Sequence, residues 1–190
     1  MALVSGLRRR DPHAATVFFQ EFEPLVERTI GRIIGFSDEL PDATQEAFLR
    51  AMRSLDKLRD PQALVEWLLR ISVFTASDFL RHRKRRRRLF FFEVENVEEP
   101  PAPVADESGR EALRATYRVL DRMSPEERTL FALRFLDGMD LDALASAHDC
   151  SRSTVKRRLA RATARFLTLA RREHALSAWV AGAEVEEEVP

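Results

Sequence analysis

Residues 141–169 read LDALASAHDCSRSTVKRRLARATARFLTL, and this stretch decides the fold. Val155, Leu159, Ala162, Phe166 and Leu169 follow one another at spacings of four, three, four and three. That is the period of one face of an α-helix. The other faces carry Arg152, Lys156, Arg157, Arg158, Arg161 and Arg165, and no acid occurs between Ser151 and Arg172. Upstream, Leu141, Leu144 and Ala145 make a short amphipathic helix. His148-Asp149-Cys150 is too polar and too short to be more than a corner, and Ser151 is placed to N-cap the second helix. Cys150 is the small apolar residue that plugs the angle between the helices. A helix that packs on one side and is only basic on the other suits a duplex groove, where phosphates line both walls. A helical hairpin with a solvated arginine face is the plainer alternative. The corner and the missing acids favour the groove.

The chain has 190 residues, 45% of them hydrophobic and 33% charged, enough for one large or two small domains. Gly is low and β-branched residues are sparse, so the fold class expected is all-α. A single cysteine forms no internal disulfide, and His13, His82, His148 and His174 have no ligand spacing with it, so no zinc site is expected. No Gly-rich phosphate loop or nucleophile–base pair appears, so neither enzymatic chemistry nor a cofactor is expected. No run approaches a membrane span and the N-terminus lacks a signal-peptide core. The expected location is the cytoplasm, on the nucleoid when engaged.

The zero net charge conceals an alternation. Residues 1–92 hold 17 basic and 12 acidic side chains, hence +5. Residues 93–108 carry −6, residues 109–174 carry +5 and residues 175–190 carry −4. Two basic blocks separated by acidic segments suggest two modules facing nucleic acid. The division expected is an extension 1–10, a helical domain 11–92, an acidic Pro-rich linker 93–108, a helix–turn–helix domain 109–174 and an acidic tail 175–190.

Within the first domain, Asp11-Pro12 and Asp60-Pro61 read as helix starts. Pro24 lies inside a helical pattern and should kink or split it. A second helix opens near Pro41 and ends near Leu55, with Met52 among its smaller apolar residues. The longest helix runs from Asp60-Pro61 past Trp67, a core anchor, into the basic run 81–88. Phe90-Phe91-Phe92 reads as a packing plug. The linker EVENVEEPPAPVADESG is too acidic and Pro-rich to order itself. In the second domain, a helix spans about Gly109 to Leu120. Ser124-Pro125-Glu126-Glu127 is then a capping box opening a helix through Leu136. The tail has one apolar patch around Leu176, Trp179 and Val180.

Both halves resemble the bacterial RNA polymerase sigma factors of the extracytoplasmic-function type, which have two domains, regions 2 and 4. Asp42-Ala-Thr-Gln45-Glu46-Ala-Phe48-Leu49 matches that family's core-binding signature. Trp67-Leu68-Leu69-Arg70-Ile71, Asp78 and Arg81 match its minus-10 helix. Residues 120–162 match its region 4 pattern. The resemblance implies two helical domains, a sigma region 2 bundle and a region 4 helix–turn–helix, joined by a disordered acidic linker. It implies docking on core RNA polymerase, at the β′ clamp helices and the β flap, and binding to double-stranded promoter DNA and to the melted non-template strand. An anti-sigma factor is a further implied partner; membrane insertion is not implied.

Carried over by position, Asp42, Gln45, Glu46, Leu49 and Arg50 face the polymerase. Asp78, Arg81, Arg83, Lys84 and Arg85 face minus-10 DNA. Arg152, Ser153, Lys156 and Arg157 sit where base edges of the minus-35 element come within reach. Arg158, Arg161 and Arg165 lie toward phosphate, with Thr154 a capping or phosphate residue. Two positions depart from the family: Phe74 stands where Asn is usual, and Asp149 replaces the turn Gly. Asp tolerates the left-handed backbone region better than most residues. The promoter elements of this family lie roughly 50–60 Å apart, at about 34–36 Å per duplex turn. A coil the length of the linker averages only about 25 Å, so it must be drawn out on DNA. Two other functions stay open: a stand-alone helix–turn–helix regulator, and a non-transcribing decoy for anti-sigma factors.

Overall fold

The computed structural model describes residues 2–35, 37–90, 107–177 and 180–181 and, of residues 87–90, the backbone alone. The Phe90–Phe92 plug, most of the acidic linker, the end of the basic run, Trp179 and the acidic tail lie outside the described residues. Among the described residues eight α-helices run in order: α1 (Ala2–Arg8), α2 (Pro12–Ile34), α3 (Glu39–Arg53), α4 (Leu64–Phe90), α5 (Glu107–Asp121), α6 (Pro125–Phe131), α7 (Leu141–Ala147) and α8 (Arg152–Ala170). Among the described residues there is no strand.

Local chemistry sets most of the boundaries. The Asp11 carboxylate accepts the His13 N–H at the start of α2, and Asp60 accepts that of Gln62. The latter opens a single tight turn, Pro61–Ala63, from which α4 grows. The capping box at α6 is complete: Ser124 Oγ accepts the Glu127 N–H, and the Glu127 carboxylate accepts the Ser124 N–H. The last turn of that helix widens into a π turn, Ala132–Leu136, with the Asp137 N–H on the Ala132 carbonyl at 3.1 Å.

Three expectations need correction. Pro24 does not split α2, which is unbroken from Pro12 to Ile34. Pro24 and Gln20 both face water, so the carbonyl that loses its donor is solvated. Residues 1–10 are not a mere extension: Val4 and Leu7 of α1 are buried in the core. Gly6 permits this packing, because a Cβ there would meet the Ala14 Cβ at 2.6 Å. Finally, α5 begins at Glu107, inside the stretch expected to be linker.

The helices form an N-terminal group, α1–α4, and a C-terminal group, α5–α8. Phe18, Val26, Ile30, Ile33, Ala47, Phe48 and Leu68 fill the first. Tyr117, Leu120, Phe131, Phe166 and Leu176 fill the second, with the Phe131 and Phe166 rings stacked 4.0 Å apart. The two groups also touch. Leu130, Leu133, Leu144, Ala147 and Val155 belong to the same apolar cluster as the N-terminal helices. A leucine withdrawn from water contributes roughly 1.5–3 kcal/mol. This seam therefore adds stability that neither group has alone.

At the C-terminal end of α2 the seam is polar. A helix leaves its last four carbonyls without intrahelical donors. Here Arg128 Nε donates to the Ile33 carbonyl at 2.6 Å and Arg83 Nη1 to that of Ile34 at 3.0 Å. The Tyr117 hydroxyl lies 3.4 Å from the Gly31 carbonyl. Arg128 is 2% exposed and pairs with Asp121. Two of the three donors thus come from the other group.

Candidate nucleic-acid interface

One exposed basic face belongs to α8. Ser151 caps it as expected, its Oγ accepting the Thr154 N–H at 3.3 Å. Asp149 sits at φ 49°, the left-handed value the corner requires. Cys150 packs, partly buried, against the core in that corner. Burial lowers the pKa of the His148 imidazole; Glu126 opposes that shift and Arg158 adds to it. Val155, Ala162, Phe166 and Leu169 are buried, so the helix is anchored along one side. Arg152, Ser153, Lys156, Arg157, Arg161 and Arg165 are all exposed. Arg152 reaches Asp142 at 3.4 Å and Arg158 reaches Glu126 at 2.8 Å. Among the described residues, Lys156, Arg157, Arg161 and Arg165 have no acidic partner in ion-pair range. Thr154 is half-buried, its hydroxyl 2.9 Å from Ser151 Oγ, which is a capping position.

A second face belongs to α3. Asp42 and Gln45 are exposed, and Leu49 is 43% exposed. Met52 extends this stripe by one turn at 37% exposure. Glu46 and Arg50 turn aside: Glu46 accepts from Arg50 Nε at 2.7 Å, and Arg50 Nη1 donates to Asp78 at 2.5 Å. The chain therefore joins a residue expected at the polymerase to one expected at DNA.

The third face lies on α4. Asp78 also accepts from Arg81 at 2.5 Å. Burial alone would raise the Asp78 carboxyl, but the hydrogen bonds and charges of Arg50 and Arg81 outweigh it and lower the pKa. Lys84 and Arg85 are exposed. Arg83 is not, and its expected place at DNA needs correction. It is 7% exposed, with Nε 2.9 Å from Glu39 and Nη1 on the Ile34 carbonyl. It faces inward because α4 packs against α2 and α3 along that side, and its guanidinium is used up capping α2. Glu39 also takes Arg86. Trp67 is half-buried against the core, and Phe74 is 57% exposed.

The comparisons with known proteins agree with this geometry. Residues 18–86 match the model of Sigma-70 region 2, and residues 113–166 match that of Sigma-70, region 4. The ECF RNA polymerase sigma-E factor of Escherichia coli (strain K12) is 30% identical over 169 residues, which cover 84% of this chain and 88% of the relative. The sigma-E factor of Haemophilus influenzae is 27% identical over 170 residues, 85% of this chain and 89% of the relative. Among solved structures, the fold is similar to the sigma factor RpoE in complex with the anti-sigma factor NepR from Bartonella quintana. There the TM-score is 0.60 and the identity 22%, over 83% of this chain and 98% of that one. It is also similar to CnrH in complex with the cytosolic domain of CnrY, with a TM-score of 0.55 and 20% identity over 88% of this chain and 94% of that one. The two family matches, in this order and over most of both lengths, place the chain in the extracytoplasmic-function family of RNA polymerase sigma factors, which direct core polymerase to promoters.

Proposed function

We propose that this sigma factor docks on core RNA polymerase through the outer stripe of α3 and holds promoter DNA through α8 and the exposed part of α4. Asp42, Gln45 and Leu49, with Met52, form an apolar centre ringed by polar groups, the composition of an interface core. Arg152, Ser153, Lys156 and Arg157 enter the major groove at the minus-35 element, while Arg161 and Arg165 hold phosphate. Asp78, Arg81, Lys84 and Arg85 serve the minus-10 element. The two domains are the helical groups α1–α4 and α5–α8, and the protein acts by binding, with the polymerase supplying the chemistry.

The observation that carries this is the exposed basic face of α8, where Lys156, Arg157, Arg161 and Arg165 have no acidic partner among the described residues, combined with the Leu49 stripe on the other group. The closed seam adds a step. Promoter elements roughly 50–60 Å apart, at about 34–36 Å per duplex turn, are out of reach of two groups packed together. Engagement with core enzyme therefore separates them. An anti-sigma factor is a fitting regulatory partner, since the sigma factor RpoE of similar fold was captured with one.

Run-off transcription with purified core enzyme tests the proposal. Transcript should require both core and this chain, and Leu49→Asp should abolish it while α8 still binds duplex. Full-strength promoter binding without core, and no transcript with it, would make the protein a solitary regulator. Binding to core with no transcript would make it a decoy.

A further inference from the structure

Among the described residues Arg128 is the most buried cation. Its Nε donates to the Ile33 carbonyl at 2.6 Å, and its Nη1 donates to Asp121. The guanidinium carbon lies 5.9 Å from the centroid of the Tyr117 ring. Nη2 is buried too, and it has no hydrogen-bonding partner among the described residues. A guanidinium keeps its charge and carries five N–H donors, so a buried end without an acceptor is costly. Burial pulls the Arg128 pKa down; Asp121 opposes that shift and Arg83 adds to it. The charge is therefore only partly compensated by the protein.

A cavity of about 70 Å³ borders this side chain. Leu80, Arg83 and Lys84 of α4 line one side, and Leu120, Asp121 and Arg128 line the other. Its walls thus come from both helical groups. Three of the lining residues are cations and one is an acid. Glu39, the acid beside Arg83, is shared with Arg86 and does not balance the excess. A water takes about 30 Å³ of liquid, so the cavity has room for an ion of chloride or phosphate size.

We propose that this cavity is a site for a small inorganic anion, which bridges Arg128 and Lys84 and so fastens the two helical groups together. The site stands on the seam itself and goes beyond the sigma-factor reading. The anion accepts from Arg128 Nη2 and lies against the Lys84 ammonium, while Asp121 stays on Nη1. Such charge-assisted bonds are roughly twice as strong as neutral ones. Leu80 and Leu120 close the apolar walls and leave no room for a large organic acid. Because the walls belong to different groups, the anion binds the closed form and shifts the balance toward it. Parting of the groups releases it. On the opening proposed above, a small anion therefore lowers the affinity for core polymerase.

The test follows the thermal midpoint of the full chain at constant ionic strength. Sodium chloride replaces sodium glutamate in one arm, and sodium phosphate replaces it in the other. Glutamate is too large for the cavity. At ten times the half-saturating concentration the midpoint should have risen by about 3–5 °C. Exclusion of salts from the protein surface also moves midpoints, but it does not saturate and does not depend on one side chain. Lys84 is exposed, so its variants should fold as the parent does. Lys84→Gln should raise the half-saturating concentration about fivefold, and Lys84→Glu should abolish the saturating rise. A rise in the chloride arm alone assigns a halide, and in the phosphate arm alone an oxoanion; either supports the site. No saturating rise in either arm would overturn it, since water then suffices for the cavity. A rise that Lys84→Glu leaves unchanged would also overturn it, because the ion then binds elsewhere. Core-polymerase affinity in the same salts separates the two readings. If the Lys84-dependent rise is present and that affinity stays constant, the site stands and the opening step fails.

Discussion

Two arginine-rich helices, α4 and α8, look alike as strings of letters and are used differently. On α8 the arginines stand outside an anchored helix, and Lys156, Arg157, Arg161 and Arg165 are left to water among the described residues. On α4, among the described residues, the run is partly taken up by the protein itself. Arg83 is buried on Glu39 and the end of α2, Arg86 shares Glu39, and Arg81 is held by Asp78. The cause is position. One flank of α8 faces no other element among the described residues, whereas α4 packs against α2, α3 and the C-terminal group. A run of positive charge is therefore no measure of a DNA-binding surface. The packing of the helix decides which arginines bind DNA and which bind the protein.

The comparison can be broken most directly at Arg83. Arg83→Ala should destabilise the fold by about 3 kcal/mol in urea unfolding, because it strands a partly buried carboxylate and an uncapped carbonyl. Arg165→Ala should change stability by less than about 0.5 kcal/mol, as exposed residues do. If Arg83→Ala left stability intact and reduced DNA binding instead, the two helices would be alike after all. Next in size is Arg152→Ala, which should relax base preference at one minus-35 position by about 1–3 kcal/mol in a competition series. Arg165→Ala should weaken all duplexes evenly and reduce the salt slope by about one unit. Exchange of these two patterns would mean that α8 enters the groove with a different rotation.

The smallest effect sharpens the Arg83 side of the comparison. Burial alone would raise the Glu39 carboxyl, but Arg83 and Arg86 hold it below the usual 4.5. Its stabilising contribution is complete above that value. It declines as pH falls below it, and is lost once pH passes the lowered folded value. Acid titration of the parent and of Arg83→Ala should therefore diverge above pH 4.5 and converge below it. Parallel curves would show that the pair is not the anchor.

What was legible in the sequence was local. Asp11, Ser124 and Ser151 announce helix starts because a cap and its N–H lie within three residues. The apolar spacing of α8 and the tolerance of Asp149 for φ 49° are equally short-range. The failures were long-range or depended on neighbours. Pro24 disturbs α2 less than expected because its surroundings are wet. Arg83 is buried because α2 and α3 cover it. The seam joins Arg128 to Ile33 across 95 positions, and no periodicity encodes such a contact.

That capped end of α2 affects how binding measurements should be understood. When the two halves come apart, the Ile33 carbonyl and the Arg128 guanidinium must both find new partners, and the leucines beside them must rehydrate. On the proposed opening, the closed form cannot span a promoter, and the apparent dissociation constant for polymerase is the intrinsic one divided by the competent fraction. Weakening the clasp should tighten that apparent constant without adding a single contact to the enzyme.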